Sequence, residues 1–332
     1  MVPQGADEQI VGGNPARHGG ELPPLAAVNP SRLRKDQELL QGAIDTHVHC
    51  LPHLDEDMYM MDIFELARAG AEVGMRALVV KNHMGPSCGE AYLANKYSGG
   101  CQIIGGVCLN RATGGFNPHA VTAAATFGSL NGVPPGRFVW MPERDALAHV
   151  KLFNVPETKW HRYISPFVEQ KIEKGLTPEA REVCKRIGKE DMVLATSHLS
   201  PEESLTLIPE AKDLGVNRFL ITHASGSEVG FKLEHKKRAV ELGALIEESV
   251  VLWMPVMQHL GFRVADAYKE IIADMKEIGA EHYCLSTDCG ITECPPPVEA
   301  MREFIKLCMD AGFTDNEIKA MAGSNAARLI GL

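Results

Sequence analysis

The chain has 332 residues, of which 45% are hydrophobic and 23% charged, so it can bury a full core and is not expected to be disordered. Its 33 basic and 43 acidic residues give a formal net charge of −10, which disfavours nucleic acid as a partner because phosphate-backbone binding needs basic surface. We expect neither a signal peptide nor a membrane span. The nine cysteines include no C-x-x-C pair, as in a reduced cytoplasmic protein rather than a disulfide scaffold or zinc ribbon.

The chain begins with turn-forming residues and then alternates strand-like with helix-like stretches. Glycine and proline pairs over residues 1–40 predict an N-terminal leader, with one domain over residues 41–332. Eight apolar runs predict strands, at Ala43–Val48, Ala77–Val80, Gln102–Leu109, Arg137–Trp140, Met192–Thr196, Phe219–Thr222, Ala244–Glu248 and His282–Ser286. Helices are predicted at Met60–Glu72, Asn117–Ala125, Pro178–Lys189, Pro201–Leu214, Lys232–Leu242, Val264–Ile278, Val298–Ala311 and Asp315–Met321.

This alternation indicates βαβ units and a parallel sheet. Eight units in about 290 residues predict an α/β fold of the (β/α)8 TIM barrel type, with an open doubly wound sheet as the alternative. No G-x-G-x-x-G segment supports a dinucleotide site. Residues 141–176, between the fourth and fifth strands, exceed an ordinary connection and are expected to form a lid, an interface or a packed excursion.

The most informative motif is D-T-H-V-H at residues 45–49, which ends the first predicted strand. Residues i and i+2 of a strand face the same side, so His47 and His49 should point together into the mouth of the barrel. His198 follows the fifth strand, His223 the sixth and Asp288 the eighth. Barrel enzymes carry their active sites where these strand ends meet. Four imidazoles and one carboxylate at that face predict a metal site.

This order of residues resembles the amidohydrolase superfamily of metal-dependent hydrolases, in which the G-x-N-A-A-R-L pattern of residues 323–329 also recurs. The segments V-K-N-H at 80–83, G-G-F-N-P-H-A-V at 114–121 and V-W-M-P at 139–142 are similar to an uncharacterised amidohydrolase-related family. The resemblance implies that His47 and His49 hold one ion with Asp288 as its axial ligand, and that His198 and His223 hold a second ion or one of them completes a single site. It also implies that Asp288 moves the proton of the attacking water.

The sequence departs from the superfamily pattern at the fourth strand, where many members place a bridging carboxylated lysine or glutamate. Here that strand runs into Glu143, whereas Lys81 ends the second strand and His83 follows two residues later. Either Lys81, as a carbamate, or Glu143 could bridge two ions. Lys81 could instead bind an anionic substrate group. Lys81 and His83 are expected to take part in catalysis beside Asp288.

The remaining expectations concern the substrate, the ion and the partners. We expect substrate contacts from residues in loops at the barrel mouth, namely His83, Arg111, His119, Glu143 and His259. The predicted reaction is hydrolysis of an amide, cyclic amide, lactone or ester. The alternative is a mononuclear decarboxylase or other lyase, or a deaminase. A barrel that binds a metal or a ligand without turnover is a third class. One or two divalent ions are expected, with zinc first and manganese, iron or nickel as alternatives. The expected partner is a small-molecule substrate, and neither a membrane nor a nucleic acid is expected as a partner. A homo-oligomer is the assembly to consider.

Overall fold

The computed structural model describes residues 34–53, 56–128, 135–149, 175–226, 229–254 and 267–332. Eight parallel strands form one sheet in the order β1 to β8. The strands are β1 Ile44–Val48, β2 Ala77–Val80, β3 Gln102–Cys108, β4 Gly136–Trp140, β5 Val193–Ala195, β6 Phe219–Ile221, β7 Leu245–Ser249 and β8 Tyr283–Ser286. Beyond the last strand, Cys289 forms a parallel bridge with Val48 of β1 and brings the two edge strands together. The predicted (β/α)8 barrel is confirmed, and the open-sheet alternative is wrong.

Helices follow the strands and cover the outside of the barrel. They are α1 Lys35–Leu40, α2 Ile63–Glu72, α3 Cys88–Tyr97, α4 Pro118–Thr126, α5 Pro178–Lys189, α6 Pro201–Asp213, α7 Leu233–Glu241, α8 Ala267–Ile278, α9 Pro297–Asp310, α10 Asp315–Lys319 and α11 Asn325–Ile330. A π-helical turn, Ala320–Ser324, joins α10 to α11. In the ranges that the structure describes, none of the helices combines the length and the apolar character needed to cross a bilayer.

Local sequence signals explain where several helices begin. Asp62 caps α2 by accepting the backbone N–H groups of Phe64 and Glu65. Ser200 and Glu203 form a reciprocal capping box at the start of α6. Proline occupies the first turn of four helices, where its missing N–H costs no hydrogen bond.

Helix α3 was not among the predicted elements because its buried face consists of small side chains rather than large apolar ones. That face consists of Cys88, Ala91 and Ala94. Small residues suit a helix that lies close to the sheet, and Gly105 of β3 allows this approach. A Cβ atom at Gly105 would lie 2.7 Å from the backbone of Ser87, immediately before α3.

The core has two layers because strand residues alternate between faces. On β2, Ala77 and Val79 join a cluster inside the barrel, while Leu78 packs outward against the helices. Phe138 and Trp140 of β4 stack inside with ring centroids 5.1 Å apart. The interior is therefore filled by side chains, and a site can open only at the mouth, defined here as the edge formed by the C-terminal ends of the strands.

The predicted leader and the long excursion lie largely outside the described residues. The structure does not describe residues 1–33 of the leader or residues 150–174 of the excursion. Within residues 34–40, α1 packs against α9, and Leu39 and Leu40 are buried. The boundary at residue 40 stays a prediction.

Candidate metal centre

Two imidazoles and one carboxylate meet at the junction of β1 and β8. Asp288 Oδ1 lies 3.1 Å from His47 Nε2 and 2.9 Å from His49 Nε2. A register irregularity in β1 between Asp45 and Val48 accompanies this arrangement. Asp288 is the most open of the three, with 19% of its side chain exposed, whereas both histidines are buried. The group therefore faces the mouth through its carboxylate.

Acceptors on the far side of each ring fix the orientation of these imidazoles. His47 Nδ1 lies 3.1 Å from Glu247 Oε1, and His49 Nδ1 lies 2.9 Å from the carbonyl oxygen of Lys81. Because both partners only accept, each Nδ1 carries a proton, and in a neutral ring the Nε2 atom then presents its lone pair. Burial lowers the pKa of His49 against the opposing effect of Asp288, which favours its neutral form.

The donor set fits a cation. His47 Nε2 is buried and makes no hydrogen bond, although Asp288 Oδ1 is 3.1 Å away. Two imidazole nitrogens and one carboxylate oxygen thus face one another, and no hydrogen bond joins His47 Nε2 to the carboxylate. Such an arrangement is unfavourable unless a cation lies between the donors, and nitrogen and oxygen donors are those that zinc binds.

His223, at the end of β6, extends this group. Its ring stacks on that of His47 with centroids 5.6 Å apart, and its backbone N–H donates to Glu247 Oε1 over 3.2 Å. Donor atoms of His47, His223 and Asp288 all lie within 4.8 Å of one another. Burial lowers the pKa of His223 to about 4, so this ring is also neutral.

His198 lies next to His223 but has a different partner. The two rings meet edge to face at 4.9 Å, while Nδ1 of His198 lies 2.7 Å from Nδ1 of His149. One imidazole must donate and the other accept across that distance. A single histidine in a long connection gives no indication of its position, so sequence patterns do not locate His149.

Lys81, His83 and Glu143 form a buried charged group beside this centre. Lys81 Nζ lies 3.7 Å from Glu143 Oε2, and the same carboxylate oxygen is bonded to His83 Nδ1. Arg144 Nε is 3.0 Å from Glu143 Oε1. Burial alone would raise the pKa of Glu143, but His83, Lys81 and Arg144 outweigh it and hold that pKa well below its usual value. Burial likewise opposes the protonated form of Lys81, but Glu143 and more distant acidic groups raise its pKa.

A further histidine reaches the same region without having been predicted. Donor atoms of His49, His53 and His83 all lie within 4.8 Å of one another. His53 follows β1 in a loop, so its position depends on folding contacts that spacing does not reveal. Tyr59 packs against it with ring centroids 4.3 Å apart.

The outlying substrate candidates lie apart from these groups. Arg111 and His119 are exposed, and the backbone N–H of Arg111 donates to Asp145 Oδ2. Neither side chain contacts the metal-ligand candidates in the described residues. His259 lies outside the described residues. All three stay predictions.

Comparisons with known proteins match the fold and leave the activity open. A family model described as "Family of unknown function (DUF6282)" matches residues 42–247. No curated protein matches in sequence. An organophosphorus hydrolase from Deinococcus radiodurans is 14% identical, with a TM-score of 0.57 over 88% of this chain and 94% of that one. A lactonase from Listeria monocytogenes has the same identity and TM-score, over 88% and 95%. A mutant of a PTE-like lactonase from Deinococcus radiodurans is 15% identical, with a TM-score of 0.55 over 92% and 100%. At this level of identity, the similarity of the chain to these three structures is a similarity of fold.

Proposed function

The chain belongs to the DUF6282 family, a family of unknown function whose model covers more than half of it, and we propose that it is a metal-dependent hydrolase. One observation carries the proposal. The Nε2 atoms of His47 and His49 converge within 3.1 Å on one oxygen of Asp288, with Nδ1 of each ring already bonded on the other side. Outer acceptors of this kind are typical of metal-ligating histidines.

His47, His49 and Asp288 would hold the first ion, with His223 close enough to complete the set. When bound, a divalent ion would acidify a water molecule and polarise the bond to be cleaved. Zinc is our first expectation, with manganese, iron and nickel as alternatives, because this mixed nitrogen and oxygen set suits all four. The proposed number of ions is one or two.

The chain's own groups would move the proton and orient the ligands. Asp288 is partly exposed and would accept the proton of the attacking water, then pass it to the leaving group. The water oxygen would bond to the acyl carbon as the bond to the leaving oxygen or nitrogen breaks. Glu247 and the Lys81 carbonyl would keep the imidazoles in place, as their contacts with Nδ1 indicate.

Electrostatics favour Glu143 over a carboxylated Lys81 as a bridge between two ions. Carbamate formation would turn the ammonium of Lys81 into an anion beside Glu143, whose Oε2 lies 3.7 Å from Nζ. It would also leave the buried carboxylate of Glu143 without the ammonium that now lies beside it. Glu143 is already an anion, and its Oε1 lies 3.9 Å from His198 Nε2.

We propose lactones as the first substrates to test, followed by esters, amides, cyclic amides and phosphotriesters. Two structures of similar fold are described as lactonases and one as an organophosphorus hydrolase. His83 and Glu143 line the centre and would contact substrate, with Arg111, His119 and His259 as the outer predicted contacts. A homo-oligomer remains part of the proposal on general grounds.

The second candidate function is a mononuclear decarboxylase, another lyase or a deaminase. The buried ammonium of Lys81 favours it, because an ammonium at the centre could bind a substrate carboxylate. With Lys81 in that role, no bridging group would be required.

The test is turnover of the metal-loaded full chain in water enriched in oxygen-18. A hydrolase adds one labelled oxygen to the acid product, whereas a decarboxylase releases carbon dioxide and adds no oxygen to its organic product, and a deaminase releases ammonia. The matched variant replaces both His47 and His49 with alanine and should lose bound metal and turnover while its circular dichroism stays that of a folded barrel. Full metal occupancy in that variant would refute the ligand assignment.

We propose the cytoplasm as the location. All nine cysteines are free and buried, as expected for a protein kept in a reducing compartment. Fractionation of cells that express the chain tests this.

A further inference from the structure

We propose that His53 and His83 are the core of a second metal site on the β1–β2 side of the mouth, next to His49. The proposal rests on the proposed function and adds an ion to it. Its two core side chains belong neither to the predicted ligand pairs nor to the group of His47, His223 and Asp288. The three ring centroids lie 4.6 Å apart for His49 and His83, 4.8 Å for His53 and His83, and 5.9 Å for His49 and His53. Their donor atoms all lie within 4.8 Å of one another.

His83 repeats the arrangement seen at His47. In both residues Nδ1 is bonded to a buried carboxylate, Glu143 for His83 and Glu247 for His47. A carboxylate on Nδ1 fixes the tautomer and leaves Nε2 as the nitrogen that binds an ion. The structure therefore provides two carboxylate–imidazole pairs of the same design, one on each side of His49.

His53 is held by contacts from two other residues. The backbone N–H of His83 donates to its Nε2 over 3.4 Å, and the hydroxyl of Tyr59 lies 3.3 Å from the same atom. The loop between them is fixed because the N–H of Leu51 donates to Met61 and the N–H of Met60 donates to Gly290. A ligand on this loop is thus anchored to the rest of the mouth, as a metal site requires.

His49 stands between the two groups and can serve only one ion through Nε2. That atom lies 2.9 Å from Asp288 Oδ1, so it belongs to the first site. The second ion would then have His53 and His83 as nitrogen ligands, with Glu143 beside them; binding through Nε2 of His53 would replace the long 3.4 Å hydrogen bond from the His83 N–H. Such a set leaves coordination positions open to water or substrate, which suits a catalytic rather than a purely structural ion.

The alternative position for a second ion is the predicted pair His198 and His223. In the described residues His198 belongs to neither three-donor group, and its Nδ1 faces the imidazole of His149 at 2.7 Å rather than a carboxylate or carbonyl oxygen. His223 groups with His47 and Asp288 instead. The geometry thus favours the β1–β2 side over the β5–β6 side for the second ion.

The test is a zinc titration of the metal-stripped full chain, with bound zinc counted by elemental analysis after gel filtration. We expect two equivalents in the wild type, two in His198→Gln, and one in the double variant His53→Gln with His83→Gln. Removing two ligands should raise the Kd of the second equivalent by at least about 100-fold, since outer partners alone account for 10–100-fold. Near-UV circular dichroism confirms folding. If the double variant fails to fold, His53→Gln alone replaces it, because that residue is partly exposed.

The outcomes separate this proposal from the first site. Two equivalents in the double variant, or loss of the second equivalent in His198→Gln, would overturn the inference. A single wild-type equivalent that disappears in His47→Gln and persists in the double variant would also overturn it, while leaving the first site intact. Conversely, one equivalent that survives His47→Gln and is lost in the double variant would support the second site and refute the first.

Discussion

Replacing Glu247 with glutamine tests whether the outer carboxylate tunes the metal centre. Oε1 of Glu247 lies 3.1 Å from His47 Nδ1 and accepts the N–H of His223 over 3.2 Å. Oε2 accepts the hydroxyl of Thr46 over 2.7 Å. The side chain is fully buried, so water cannot replace a lost contact. Glutamine keeps the shape but removes the charge and turns one acceptor into a donor.

The expected loss follows from what Glu247 does to His47. A negative partner on Nδ1 raises the basicity of Nε2, and removing such a partner typically weakens metal binding by about 10–100-fold. That factor corresponds to about 1.4–2.8 kcal/mol, since each tenfold change is about 1.4 kcal/mol. Burial alone would raise the pKa of Glu247, but His47 and the other polar neighbours outweigh it and keep that pKa below its usual value.

The assay is competition for Zn²⁺ with a chromophoric chelator, and the chain provides a matched control. Glu248, the next residue on β7, points away from the mouth and lies 2.8 Å from Lys236 Nζ. Glu248→Gln should therefore destabilise the protein while leaving zinc affinity within about threefold. An unchanged affinity in Glu247→Gln, or an equal loss in Glu248→Gln, would refute the reasoning.

Three further outcomes are expected. Asp288→Asn should remain folded, because asparagine tolerates the left-handed φ of 51° found there, and should lose about 10²–10⁴-fold in turnover; an unchanged rate would remove Asp288 from proton transfer. Lys236→Met should lower the free energy of unfolding in urea by about 3–5 kcal/mol, because it leaves the buried carboxylate of Glu248 without its cation and with hydrogen bonds from Ser225 alone; a loss below about 1 kcal/mol would contradict this. Metal removal should lower the melting temperature, since an ion at about 100 times its Kd contributes about 2.7 kcal/mol; no change on removal would mean that the folded state binds no ion.

The fold could be predicted because its determinants are local. Strands with apolar runs and helices with caps are visible in short windows, and the observed β2 has the predicted bounds Ala77–Val80. β8 begins at Tyr283 rather than at His282, within the usual uncertainty of an element boundary. Helix α3 escaped detection because small residues form its buried face, so the spacing of large apolar residues gives no period.

The centre could be predicted only where strand geometry determines it. His47 and His49 share a face by alternation, and Asp288 follows the strand that closes onto β1. His53 and His149 could not be found in this way, because loop contacts distant in sequence decide where they lie.

Backbone conformation is a further property that the sequence does not reveal. In the described part of the chain, four residues other than glycine have a positive φ, and three of them are Ser197, His223 and Asp288. Each of these three lies two residues after the last residue of its strand, β5, β6 or β8, whereas Asp191 precedes β5 at the opposite end of the barrel. The left-handed region costs about 1–2 kcal/mol for ordinary residues, with aspartate the more tolerant. The strain is therefore concentrated at the mouth.

Specific hydrogen bonds hold these strained positions in place. The N–H of Asp288 donates to the carbonyl of His47 over 2.8 Å, and the N–H of His223 donates to Glu247 Oε1 over 3.2 Å. Each bond joins a strained residue to another member of the centre, so relaxing the backbone would separate the donor atoms. Net stability of a folded domain is only about 5–15 kcal/mol, which makes strain of this size costly to retain without a gain elsewhere. The convergence of His47, His223 and Asp288 is that gain, because the strained backbone is what brings their donor atoms within 4.8 Å.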